Sequence, residues 1–149
     1  MSSPDGSTVT FRRTPRDFRR RTVELFARRL QKEVAKGQPF DCLITGDADL
    51  RRMNRQFRGL DYATDVLSFP AGPPTPRLGD LAISLGRARA QAREFGHDIE
   101  HEVEILMLHG VLHLLGLDHE TDTGQMARAE KRWRTRLGLA TGLIERVRP

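Results

Sequence analysis

The chain has one cysteine among 149 residues, Cys42, so no internal disulfide can staple it. Its apolar neighbours Phe40, Leu43 and Ile44 make it a reduced core residue of a cytosolic protein, and secretion is not expected. Long hydrophobic runs are missing too. The longest aliphatic stretch is Ile105 to Leu108, and the opening MSSPDGSTVT holds no apolar segment of a signal peptide, so neither a membrane span nor a leader is expected. Lysine is scarce. Only Lys32, Lys36 and Lys131 contribute to the 25 cations, which stand against 20 acids for a net charge of +5 and a sequence pI near 10.3. The rest are arginines, the side chain that pairs bidentately with phosphate and stacks on bases. Nucleic acid is one reading of that balance; a solvated surface with an arginine bias is the other.

Neither repeats nor low-complexity tracts nor a dividing linker interrupt the chain, and its length suits one domain over 1–149. Alternation around Val9 and Phe11 predicts a strand over Ser7–Arg13, and Thr14-Pro15 reads as a cap and first position of a helix carrying Phe18, Val23, Phe26, Leu30 and Val34 and ended by Gly37 and Pro39. Phe40–Thr45 has strand length. Asp47 or Asp49 can cap a helix through Leu50, Met53 and Phe57 that Gly59 stops. Val66–Phe69 and Leu81–Ser84 read as strands around a Gly/Pro-rich loop from Ala71 to Pro76. Helical stretches follow over Leu85–Phe95, about Ile99–Leu115 and about Thr123–Leu137. The sum is an α+β fold: a small mixed four-stranded sheet packed with about five helices.

The strongest chemical signal is histidine. Three of the five fall between His109 and His119. Residues four apart share a helix face, so His109 and His113 can offer two nitrogens to one metal ion, and Gly116 can turn the chain so that His119 returns as a third ligand. Buried without a metal, each imidazole among Leu106, Val111, Leu112 and Leu115 would need its own hydrogen-bond partner. Three histidines leave a fourth position open, as catalytic zinc sites do. The spacing, with its glycine, is that of the metzincin proteases, which places the metal site at the end of a central helix. One position departs: Gly110 stands where those enzymes carry their glutamate base, which argues against peptide hydrolysis. A phosphodiester suits an arginine-rich protein better.

Three blocks then resemble a known family, the YbeY-type endoribonucleases or rRNA maturation factors. They are Asn54-Arg-Gln-Phe-Arg-Gly-Leu-Asp-Tyr-Ala-Thr-Asp-Val-Leu-Ser-Phe-Pro70, Leu78-Gly-Asp-Leu-Ala-Ile-Ser84, and the histidine block from His109 to His119. The resemblance runs from about Leu43 to Trp133; the first 40 residues match in layout only. It implies one zinc ion on His109, His113 and His119, and a functional Arg58 that positions phosphate or stabilises its developing charge. It further implies cleavage of single-stranded RNA in maturing the 3′ end of small-subunit (16S) ribosomal RNA. A role in ribosome quality control, a cytoplasmic setting, and the small ribosomal subunit and ribosome-associated proteins as partners come with it. Arg58 read without the family is a helix-end arginine on the last carbonyls. Two other readings stay open: a zinc-containing assembly factor without nuclease activity, and a metallohydrolase of another substrate class.

Several residues have two readings. Asp118 can accept a ligand's ring N–H or cap the next helix. Asp65 and Asp80 can line a cleft, while Asp61 suits a turn. Ser68 lacks the surroundings of a serine nucleophile. His97 and His101, beside Asp98, Glu100, Glu102 and Glu104, read as a solvated charged face rather than a second metal site. Arg51, Arg52, Arg55 and Arg58 on one helix and Arg87, Arg89 and Arg93 on another are either an RNA track or solvated surface.

Overall fold

The computed structural model describes residues 6–118 and 120–139, which form four strands and five helices. They are β1 (Thr8–Phe11), α1 (Arg20–Glu33), β2 (Phe40–Thr45), α2 (Asp47–Arg58), β3 (Val66–Pro70), β4 (Gly79–Ser84), α3 (Leu85–Phe95), α4 (Ile99–Leu114) and α5 (Gln125–Leu137). The sheet order is β1-β2-β4-β3. β1, β2 and β4 run parallel, with Phe40 opposite Gly79, and β3 closes one edge antiparallel to β4, with Val66 opposite Ile83. Pro70 lacks an N–H and is tolerated because its strand is at the edge.

Side-chain alternation divides the sheet into two faces. Phe40, Cys42, Ile44, Leu81 and Ile83 point into the main core, whereas Leu67 and Ala82 pack with Leu50 of α2 on the other side, with Met53 and Phe69 against them. α4 crosses the main face, touching β3, β4, α1, α3 and α5. Being covered nearly all round, it has no polar stripe: Val103 and Ile105 through Val111 are all buried. None of the helices among the described residues is long and apolar enough to cross a membrane.

α1 starts at Arg20, not after Thr14-Pro15. The Phe18 N–H bonds to Pro15 O at 3.2 Å in a turn, and the Thr14 hydroxyl accepts instead from the Arg20 guanidinium at 2.9 Å. The cap comes from elsewhere: the Arg19 N–H donates to Glu100 Oε2 of α4 at 2.8 Å. α2 is capped by Gly46, with Asp47 and Asp49 in its first turn rather than at its cap. The Thr45 hydroxyl donates to Asp49 at 2.6 Å, and that bond, with Arg52 and Arg12, holds the nearly buried carboxylate below its ordinary range against the cost of burial. Cys42 is a core residue whose thiol burial pushes far up, so it is inert.

The start of α4 is not a solvated face. Glu100 and Glu102 are 5% and 0% exposed, and each is buried with a partner: Arg19 bonds Glu100, and His97 Nε2 lies 2.6 Å from Glu102 Oε1. The His101 ring sits 4.8 Å from that of His97.

Candidate active site

The histidine pair is set by the end of α4. Glycine at 116 adopts φ +95°, and its N–H bonds to His113 O at 2.9 Å while the Leu117 N–H reaches back to Leu112 O at 3.2 Å. This is the left-handed helix ending that the glycine predicts. It carries Leu117 and Asp118 into the cleft that holds His109 and His113. His119, the third ligand expected from the sequence, lies outside the described residues.

His109 is 7% exposed and His113 only partly buried; their rings are 4.8 Å apart at 75°, and the two Nε2 atoms face each other at 3.2 Å. Two nitrogens each about 2.0–2.1 Å from one tetrahedral ion stand about 3.3 Å apart, so this pair has the spacing of a chelate. His109 Nδ1 lies 2.7 Å from Glu130 Oε2, a carboxylate of α5 that is 1% exposed. The carboxylate assigns the proton to Nδ1 and leaves the Nε2 lone pair directed at His113. An imidazole oriented by a buried carboxylate is the usual arrangement around a ligating histidine. Among the described residues no three His, Cys, Asp or Glu side chains gather in a ligand geometry.

The cleft, about 540 Å³, runs between the end of α2, β3 and the end of α4. Arg58 lines it, exposed and without an ion pair among the described residues, at the point where Gly59 in the left-handed region stops α2. Arg58 is therefore brought to the histidines from 51 positions away in sequence. Asp65 lines the cleft too, accepting from the Val66 N–H at 2.8 Å and from Gln91 Nε2 at 3.2 Å. Asp118 Oδ1 accepts the Glu120 N–H at 3.1 Å in a local turn and does not cap α5, whose first N–H groups at Gly124 and Met126 donate to Asp122 instead. Ser68 spends its hydroxyl on Gly110 O at 3.2 Å.

Two aspartates fall elsewhere than expected. Asp80 is exposed on the opposite face of the sheet, where partial burial and Asp41 push it up against Arg77. Among the described residues Asp61 caps no turn; it pairs with Arg51 at 2.9 Å, and that guanidinium holds it below its ordinary range. Glu130 is the functional neighbour that the sequence reading passes over. Its signal is a carboxylate within the apolar stripe of buried Met126 and Ala129 and half-buried Trp133 of α5.

Gly110 has a structural reason. A β-carbon there would meet Leu81 Cδ2 at 2.7 Å and Val66 Cγ2 at 3.3 Å, so this position faces the sheet. A glutamate would point into the core and not the cleft.

The family pattern described as "Endoribonuclease YbeY" matches residues 8–138. The chain belongs to the YbeY family. Among its relatives of that name, one from Solibacter usitatus is 76% identical over 99% of both chains. One from Koribacter versatilis is 45% identical over 85% of this chain and 82% of its own. The solution structure of TM1509 from Thermotoga maritima matches with a TM-score of 0.58 at 26% identity, covering 87% of this chain and 92% of that one. The family match includes α2, α4 and α5, which supply Arg58, the histidine pair and Glu130.

Proposed function

We propose that the chain is a zinc-dependent endoribonuclease of single-stranded RNA. Its substrate is the 3′ end of small-subunit (16S) ribosomal RNA, and it serves ribosome maturation and quality control in the cytoplasm with ribosome-associated proteins. The observation that carries this reading is the facing Nε2 pair of His109 and His113 in a cleft lined by Arg58. The relatives' printed name supplies the reaction class. His109, His113 and His119 would hold the ion. Zinc on three imidazoles acts as a Lewis acid and makes water a nucleophile near neutral pH.

The chain's own residues do the rest. Glu130 keeps the proton on His109 Nδ1 and the ring in position; Arg58 offers donors to phosphate oxygens as charge develops on them. Gly110, pressed on Leu81, disfavours the protease-like alternative, which needs a carboxylate base there.

The test is mapping of ribosomal RNA 3′ ends in cells whose only copy carries His113→Ala. Unprocessed small-subunit ends should accumulate while the protein stays folded and abundant. Mature ends would overturn the maturation role, leaving an assembly factor or another substrate.

A further inference from the structure

Beyond Arg58, the loop 60–63 is tied back to α2 by two side chains of that helix. Buried Asn54 donates from Nδ2 to Tyr62 O at 3.0 Å, and Arg51 Nε donates to Asp61 Oδ1 at 2.9 Å. The Tyr62 side chain is nonetheless 53% exposed. It lines the histidine cleft and also a second groove, of about 690 Å³, along α2, whose walls include Arg51, Arg52 and Arg55 beside Asp47 and Asp61. Arg51 and Arg52 are partly engaged by Asp61 and Asp49, whereas Arg55 makes no ion pair among the described residues. An aromatic ring on a pinned backbone, between a cationic groove and a cleft with its own arginine, has the composition of a single-strand track: cations for the backbone, a flat face for a base.

We infer that the α2 groove continues the RNA path out of the cleft. One base stacks on Tyr62, Arg58 meets a phosphate on the cleft side, and Arg55 meets one on the groove side. Only an unstacked base can lie on that ring, so this site selects single strands over duplex. The inference rests on the endoribonuclease reading above and adds a binding residue that the histidine block does not contain.

The probes are a uridine dodecamer and its abasic counterpart, measured by fluorescence anisotropy with the full chain. Tyr62→Ala should weaken the uridine oligomer about 5- to 100-fold and the abasic one less than about twofold, with Tyr62→Trp restoring binding. Arg55→Ala should weaken both equally and lower the salt slope by about 0.7, the value of one single-strand phosphate contact. In cleavage assays Tyr62→Ala should raise KM with kcat unchanged. A loss equal on both oligomers, no loss at all, or displacement of the RNA by an oligoglutamate peptide with the same Tyr62 dependence would overturn the inference while cleavage by the wild type stands. Failure of the wild type to bind or cut either RNA would instead remove the endoribonuclease reading beneath it.

Discussion

Glycine at position 110 answers to packing rather than chemistry, because a β-carbon there would press on Leu81 and Val66 where α4 crosses the sheet. Gly110→Ala should therefore destabilise the protein by about 1–2 kcal/mol, an overpacking cost of about 1–3 kcal/mol less the helix propensity alanine adds. Gly110→Glu should fail to fold stably and gain no peptidase activity, which a urea titration and a quenched peptide substrate would check. Glu130 bears on the proposed ion in a different way. Glu130→Gln keeps the shape of the contact to His109 Nδ1 but removes the charge that makes the ring a better donor, so zinc affinity should fall about 10- to 100-fold in a chelator competition. An unchanged affinity would make Glu130 merely the hydrogen-bond partner of a buried imidazole.

Among the elements, α4 concentrates the costs of a helix buried on all sides. Glu104 is pushed up to about 7, by burial first and then by Glu100 and Asp98, with Arg19 opposing. Between pH about 4.5 and 7 the folded chain holds a proton that the unfolded chain has released, so this group makes stability fall as pH rises through that window and stay level above it. Because the carboxyl is only partly buried, solvent screening reduces the effect to about 1 kcal/mol. Glu104→Gln should remove this slope, gaining that amount over wild type at about pH 8 and little at about pH 5 in urea titrations. Glu100 works in the opposite sense: burial raises it, but the Arg19 N–H and guanidinium outweigh burial, so its contribution is lost as pH falls and is common to both proteins. The same pair marks the limit of what was legible in the sequence. Both boundaries of α3 are legible because its signals are local: Ser84 accepts the Arg87 N–H, and Gly96 ends the helix in the left-handed region. The start of α1 is not legible because its carboxylate partner comes from α4, 81 residues along the chain. The acidic start of α4 reads as solvated for a related reason: composition shows charge, and only packing shows that Glu100 and Glu102 are buried with Arg19 and His97. In the site, the spacing of His109, His113 and Gly116 was legible as helix geometry, whereas Glu130 and Tyr62 join it only through tertiary contact.

Across the whole molecule, the fold and the proposed ion make separable contributions. The sheet, α1 and most of α4 pack through Phe40, Ile44, Leu81, Ile83, Leu106 and Met107, far more apolar contact than the histidine end supplies. Removing the metal should thus leave secondary structure in place. An ion held by His109, His113 and His119 would still join the end of α4 to the chain beyond it, and Glu130 extends the connection to α5. A ligand bound only by the folded state at about a thousand times its Kd adds about 4 kcal/mol, which for a chain of this size is about 8–16 °C in Tm. Dialysis against a strong chelator should lower Tm by that order with the far-ultraviolet circular dichroism at room temperature unchanged, and zinc should restore it. In His113→Ala the chelator should make almost no difference, while in Glu104→Gln the full difference should persist, since that residue lies outside the cleft. A wild type whose Tm ignores the chelator would leave the 3.2 Å approach of the two Nε2 atoms as a hydrogen bond, one imidazole donating to the other, and would remove the ion from the fold and the mechanism together.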